Sequence, residues 1–257
     1  MSAREPSSDG YSVITLGGLP VTVIDRHDEA ELMVRAAAHH RATGPLFFTS
    51  ANGEVIARTS LDRDLAQLFL DADQIVADGQ PLVTASRFVC RTRLPERVAT
   101  TDLFHDVAKR AEQHGTSFYL FGASPEVNDK AVAILRRTYP RLNIVGASHG
   151  YLTGSALTAR LAEINALAPD ILWLGLGVPR EQHFFRDHRH ELSNVGLIKT
   201  SGGLFDHIAG KVARAPRLVQ TLGFEWFWRM LMEPRRLFWR YVTTNPRALY
   251  ILLTRSS

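Results

Sequence analysis

Short apolar runs alternate with amphipathic stretches along most of the chain. Runs at Ser12–Thr15, Val21–Ile24, Leu46–Thr49, Gln74–Ala77, Ser117–Phe121, Asn143–Val145, Ile171–Leu176 and Val195–Thr200 predict β-strands. Between them, Asp28–His40, Asp62–Leu70, Thr101–His114, Ser124–Arg137, Ala156–Leu167 and Glu181–Leu192 read as helices. Thr101–His114 has a threonine N-cap, an apolar stripe at Leu103, Phe104, Val107, Ala108 and Ala111, and Gly115 as terminator. Ser124 caps the next helix, with Pro125 at its first position and Arg136 and Arg137 at its negative end. This alternation predicts an α/β fold: a Rossmann-like, mostly parallel sheet with helices on both faces. Ile171–Leu176 is apolar throughout, as expected of a strand covered on both sides. In such sheets ligands gather at the carboxyl ends of the strands, so residues just after each strand are the first candidates for function.

The texture changes after about Pro216. Leu218–Leu253 is dense in aromatics, including Trp226, Trp228, Trp239 and Tyr250, and in arginines, with Glu225 and Glu233 as the only acidic residues. The chain is therefore divided into a disordered lead-in (1–11), a Rossmann-like core (12–216) and a helical C-terminal appendage (217–257). The appendage allows three readings: a nucleic-acid surface, a packing face, or a segment for the membrane interface, where Trp and Tyr favour the headgroup zone. A formal net charge of +4 over 257 residues is too mild to argue for nucleic acid. With 45% hydrophobic and 22% charged residues the composition is that of a globular protein. A single cysteine, Cys90, allows no internal disulfide and suits a reducing compartment. No run approaches the ~20 apolar residues of a membrane span. The expectation is a cytoplasmic protein whose membrane contact is peripheral.

Several polar residues fall at strand ends. Asp78 follows Gln74–Ala77 and precedes Gly79, a placement that suits a general base, although spacing alone favours an Asp-Gly turn. Ser50 and Asn52 follow Leu46–Thr49 and read either as ligands for a sugar or phosphate or as a loop cap. Gly175-Leu176-Gly177 lets backbone amides approach a phosphate, but the third glycine of a dinucleotide fingerprint is missing. Gly202-Gly203 and Asp206 follow the last strand and read either as a close approach to a ligand, with Asp206 accepting from a ribose or uracil, or as another loop. Asp71-Ala72-Asp73 has the form of a metal-diphosphate triplet but precedes a strand, so it is rejected as a metal site. His183, Asp187 and His190 share a helix face and read more readily as a solvated surface than as metal ligands.

Taken in order, the motifs carry a specific likeness. Asp78-Gly79, Pro95-Glu96-Arg97-Val98, Thr101-Asp102-Leu103, Tyr139-Pro140, His149-Gly150-Tyr151, Gly175 to Gln182, Phe205-Asp206, Arg214-Ala215-Pro216, Gly223-Phe224-Glu225-Trp226, Glu233-Pro234-Arg235-Arg236 and Arg240-Tyr241 together resemble the WecG/TagA/CpsF glycosyltransferases, family 26 of the sugar transferases. The likeness spans about residues 45 to 245.

The resemblance implies inverting transfer from a UDP-sugar, with no essential metal and no cofactor, onto a polyprenyl-diphosphate-linked saccharide at the inner face of the cell membrane. It places the base on Asp78. It places donor and acceptor contacts on Ser50, Asn52, Arg97, Asp206 and one of Glu181 and Gln182, and pyrophosphate or membrane contacts on Arg229, Arg236 and Arg240. Donors of the N-acetylmannosamine, glucose and glucuronate types are all implied, for exopolysaccharide, capsule or wall polymer. An anionic membrane surface is the implied partner, self-association is left open, and nucleic acid is not implied. Ser50 stands where the family has threonine, Glu181-Gln182 inverts the usual order, and Thr100 replaces a common glycine. The alternative function is a nucleotide-binding membrane-surface protein without transferase activity.

Overall fold

The computed structural model describes residues 10–39, 44–212, 215–216, 219, 225–232 and 234–257. Of the predicted lead-in, only Gly10 and Tyr11 are among them.

β1 (Val13–Leu16) and β2 (Leu19–Thr22) form an antiparallel hairpin. Its turn is Gly17-Gly18, with φ of +59° and +86°, the left-handed backbone that a two-residue hairpin turn demands. β2 therefore starts two residues earlier than the apolar pattern predicts. α1 (Arg26–His39) leads to β3 (Leu46–Ala51), α2 (Gly53–Thr59), α3 (Arg63–Leu70) and β4 (Gln74–Ala77). Next come α4 (Gln80–Val89), α5 (Thr100–His114), β5 (Ser117–Gly122), α6 (Pro125–Thr138), β6 (Asn143–Ser148) and α7 (Gly154–Leu167). β7 (Ile171–Gly175), α8 (Arg180–His188), β8 (Leu197–Thr200) and α9 (Leu204–Ile208) follow, and the described chain closes with α10 (Glu225–Met232) and α11 (Pro234–Thr254).

The main sheet has the order β4-β3-β8-β7-β5-β6. The pairings β3–β8, β8–β7, β7–β5 and β5–β6 are parallel. The predicted α/β, Rossmann-like architecture is thus present. Every residue of β4, β5, β7 and β8 is buried, which is why these strands read as apolar runs rather than alternating ones. Phe104 on α5 packs its ring 4.7 Å from Trp173 of β7 and 5.9 Å from Phe118 of β5. The whole α5 stripe read from the sequence is buried.

The helix boundaries differ from prediction in instructive ways. α5 begins at Thr100, so Thr101 lies inside the helix rather than capping it. Ser124 does cap α6, its Oγ accepting from the Val127 amide at 3.4 Å, and Gly115 ends α5 with φ +71°. α8 stops at His188, so His190 falls outside the helix and shares no face with His183 and Asp187. α2, α4 and α9 were not foreseen. α2 is seven residues long and α9 five, too short for a periodic stripe to stand out.

Contacts divide the chain into two compact units. One comprises Met1–Asp25, Ser50–Ala99 and Ala213–Ser257; the other comprises Arg26–Thr49 and Thr100–Val212. In the first, α11 packs on α2 and buries Ala248, Ile251 and Leu252. The chain then pairs with β1: the Thr15 amide donates to the Ser257 carbonyl at 3.1 Å, and the Ser257 amide returns the bond at 2.9 Å. α11 and the residues that follow it thus pack with α2 and the hairpin.

α11 is apolar on a second face as well. Trp239, Val242, Leu249, Tyr250 and Leu253 are spaced to share the side opposite the buried residues and are exposed, Trp239 to 71%. Among the described residues, no helix is long and apolar enough to cross a membrane.

Candidate active site

In the first unit, three chain segments meet at the end of β4. The Asp78 amide donates to the Ala51 carbonyl at 2.8 Å, and the Val98 amide donates to the Ala77 carbonyl at 2.9 Å. Residues 50–52, 78–79 and 97–98 are therefore brought side by side, and a Cβ built on Gly79 would lie 3.4 Å from Asn52 Cβ. The half-buried Ser50, Asn52, Asp78 and Arg97, scattered over 48 positions of sequence, are gathered here.

Each of the four has a definite local reason for its position. Asp78 stands at a strand-to-helix junction, not in a turn: Gly79 is extended with φ −174° and caps α4, whose first turn holds Pro81. The proline, unable to donate in any case, suits a helix start, and it is the signal that decides against the turn reading. β3 runs on to Ala51, so Ser50 lies within the strand rather than after it. Asn52 caps α2, with Oδ1 accepting from the Val55 amide at 3.1 Å. That leaves its Nδ2 amide as the group able to meet a ligand. Arg97 follows Leu94, whose amide is held by Ser86 Oγ at 3.0 Å.

In the second unit, the predicted residues sit around the carboxyl ends of β7 and β8. Glu181 and Gln182, in the first turn of α8, are both 1% exposed. Glu181 Oε1 accepts from the amides of Leu176 (3.2 Å), Ser201 (3.3 Å) and Gly202 (2.7 Å). Burial pushes its carboxyl above the usual range, while amide bonds from Gly202, Gly177, Ser201 and Leu176 pull the other way. Gln182 donates through Nε2 to Thr49 Oγ1 at 3.3 Å, and Thr49 Oγ1 lies 2.9 Å from Thr200 Oγ1. Asp206 on α9 is partly exposed and pairs with Lys211 at 3.2 Å. The loops here depend on close backbone approach. A Cβ on Gly122 would lie 2.2 Å from the Gly175 carbonyl, and one on Gly150 would lie 2.3 Å from Leu176 Cδ2.

The Leu176 amide, which the sequence offers to a phosphate, is thus taken by Glu181. Nothing in the sequence showed this; only the fold brings residue 181 back onto residues 176, 201 and 202. Asp71 ends α3 and accepts from Gln67 Nε2 at 2.7 Å. Arg229 lies on α10 and Arg236 and Arg240 lie on α11, but their side chains are outside the described residues.

The family model for the glycosyl transferase WecG/TagA/CpsF family matches residues 14–257. Over 208 residues the chain is 31% identical to the N-acetylglucosaminyldiphosphoundecaprenol N-acetyl-beta-D-mannosaminyltransferase of Bacillus subtilis (strain 168), a match covering 79% of this chain and 78% of that protein. A Rossmann-like sheet, polar residues gathered at strand ends and a family match over nearly the whole length agree: the chain belongs to the WecG/TagA/CpsF family of glycosyltransferases.

Proposed function

We propose that the chain moves a sugar from a UDP-sugar onto a polyprenyl-diphosphate-linked saccharide, with inversion, in the building of a cell-envelope polymer. The observation that carries this reading is the meeting of Ser50, Asn52, Asp78 and Arg97 at the end of β4. A carboxylate, a hydroxyl, an amide and a guanidinium in one place match the needs of displacement at an anomeric carbon. Asp78 takes the proton of the acceptor hydroxyl as its oxygen forms the new bond to that carbon. The bond from that carbon to the diphosphate oxygen breaks, and UDP leaves with the electron pair. Ser50, Asn52 and Arg97 orient the reacting sugars.

Asp206 accepts from the nucleoside, while Glu181 supports the loops after β7 and β8 and Gln182 holds Thr49 of β3. Arg229, Arg236 and Arg240 neutralise pyrophosphate charge, a task that a guanidinium performs without a metal. The donor is of the N-acetylmannosamine type. This choice over glucose or glucuronate rests on the Bacillus subtilis relative, whose name describes an N-acetyl-beta-D-mannosaminyltransferase acting on N-acetylglucosaminyldiphosphoundecaprenol. The enzyme works as a peripheral protein on the inner membrane face, supported by the exposed aromatic and aliphatic face of α11.

Incubation of the purified full chain with a panel of UDP-sugars and a short-chain polyprenyl-diphosphate-sugar acceptor, scored by mass spectrometry, tests the assignment. A gain of one N-acetylhexosamine from a single donor is expected. A gain from UDP-glucose or UDP-glucuronate alone would overturn the donor assignment.

A further inference from the structure

Glu181 is a carboxylate with almost no surface, and what it touches is backbone. Its Oε1 accepts from Leu176, the first residue after β7, and from Ser201 and Gly202, the first two after β8. β7 and β8 are neighbours paired in parallel, with Leu174 opposite Thr200. One oxygen therefore ties together the loops that leave two adjacent strands. The tie to Gly202 is the shortest, at 2.7 Å, and Gly202 is held at φ +55°. Ser201 is fixed twice over, since its amide also donates to the Leu174 carbonyl at 2.8 Å.

There is little slack around this staple. A Cβ on Gly175 would lie 2.7 Å from the Phe205 ring and 3.3 Å from the Gly202 carbonyl. Amides at the ends of parallel strands are the groups that elsewhere cradle a phosphate. Here the Glu181 carboxyl already occupies them, so they are not offered to a diphosphate.

We propose that Glu181 is a positioning residue: it fixes the loops after β7 and β8 in the shape that receives the nucleotide-sugar, and it does not touch the sugar donor itself. This inference rests on the transferase reading above. It divides the inverted Glu181-Gln182 pair into separate tasks, Glu181 holding backbone and Gln182 holding Thr49.

The test compares the full-length wild type with Glu181→Ala and Glu181→Gln, using steady-state kinetics with the UDP-sugar and calorimetric titration with UDP. Glu181→Ala should raise the donor KM and the UDP Kd by roughly 10- to 100-fold, each tenfold being a loss of about 1.4 kcal/mol of binding. The acceptor KM should not move. Glu181→Gln keeps the accepting Oε1 and should restore most of the donor affinity. An unchanged donor KM in Glu181→Ala, with only kcat lowered, would reduce Glu181 to a stability role and overturn the proposal. So would a Glu181→Gln variant as defective as Glu181→Ala, because the charge itself would then be needed. If Glu181→Ala does not fold, Glu181→Gln alone decides by the same criterion. Failure of the wild type to transfer from any UDP-sugar counts against the transferase reading instead, and UDP titration of the variants still reads the loops.

Discussion

At the residue scale, Asn52 beside Asp78 has a structural duty that must be separated from its chemical one. Asn52 holds the first turn of α2 through Oδ1. Asn52→Ala should destabilise the fold by about 0.5–2 kcal/mol, read by denaturant melts. Asn52→Asp keeps the cap but loses the Nδ2 donor and adds a negative charge near Asp78. We expect it to melt like the wild type and to lose transfer, whereas full activity would limit Asn52 to capping. Asp206 is simpler. Its pair with Lys211 is largely exposed, so Asp206→Ala should cost no more than about 1 kcal/mol in stability. A marked loss of UDP affinity in a stable variant would then report a direct contact, and unchanged affinity would remove Asp206 from the nucleoside site.

At the scale of elements, close backbone approach and exposed surface make the sharpest predictions. Gly122 has φ +151°, and its Cβ would meet the Gly175 carbonyl at 2.2 Å, so Gly122→Ala should destabilise the protein by about 2 kcal/mol or more. Trp239 and Tyr250 on α11 are 71% and 65% exposed. Replacing both by alanine should leave the melting temperature nearly unchanged and weaken flotation with anionic vesicles. Undiminished flotation would remove α11 as the docking face.

The same elements show what the sequence could and could not disclose. The buried strands, the α5 stripe and the Ser124 cap follow from local pattern and were legible. The hairpin at Gly17-Gly18 and the α4 start at Pro81 left signals in the sequence that the apolar pattern overrode. The Glu181 staple left none, because residues 176, 181, 201 and 202 meet only through the pairing of β7 with β8. The order of motifs identified Ser50, Asn52, Asp78 and Arg97, but their meeting depends on backbone bonds from Asp78 to Ala51 and from Val98 to Ala77.

At the scale of the whole molecule, the chain's last helix is not a detachable tail. Ile251 and Leu252 are buried in the first unit, and burial of such side chains contributes about 1.5–3 kcal/mol each. Deleting residues after Pro216 should therefore lower the melting temperature markedly as well as abolish transfer. An unchanged melting temperature would show that the rest folds without α11. Surface substitutions on α11 separate membrane docking from folding more cleanly than truncation does. The central claim, that Asp78 is the base of a sugar transfer, is tested most directly by Asp78→Asn. Transfer rate with the identified donor and UDP affinity by calorimetry should be measured side by side. Asp78→Asn should lose about 10²- to 10⁴-fold in rate with UDP affinity retained. A rate within a few-fold of the wild type would contradict that claim.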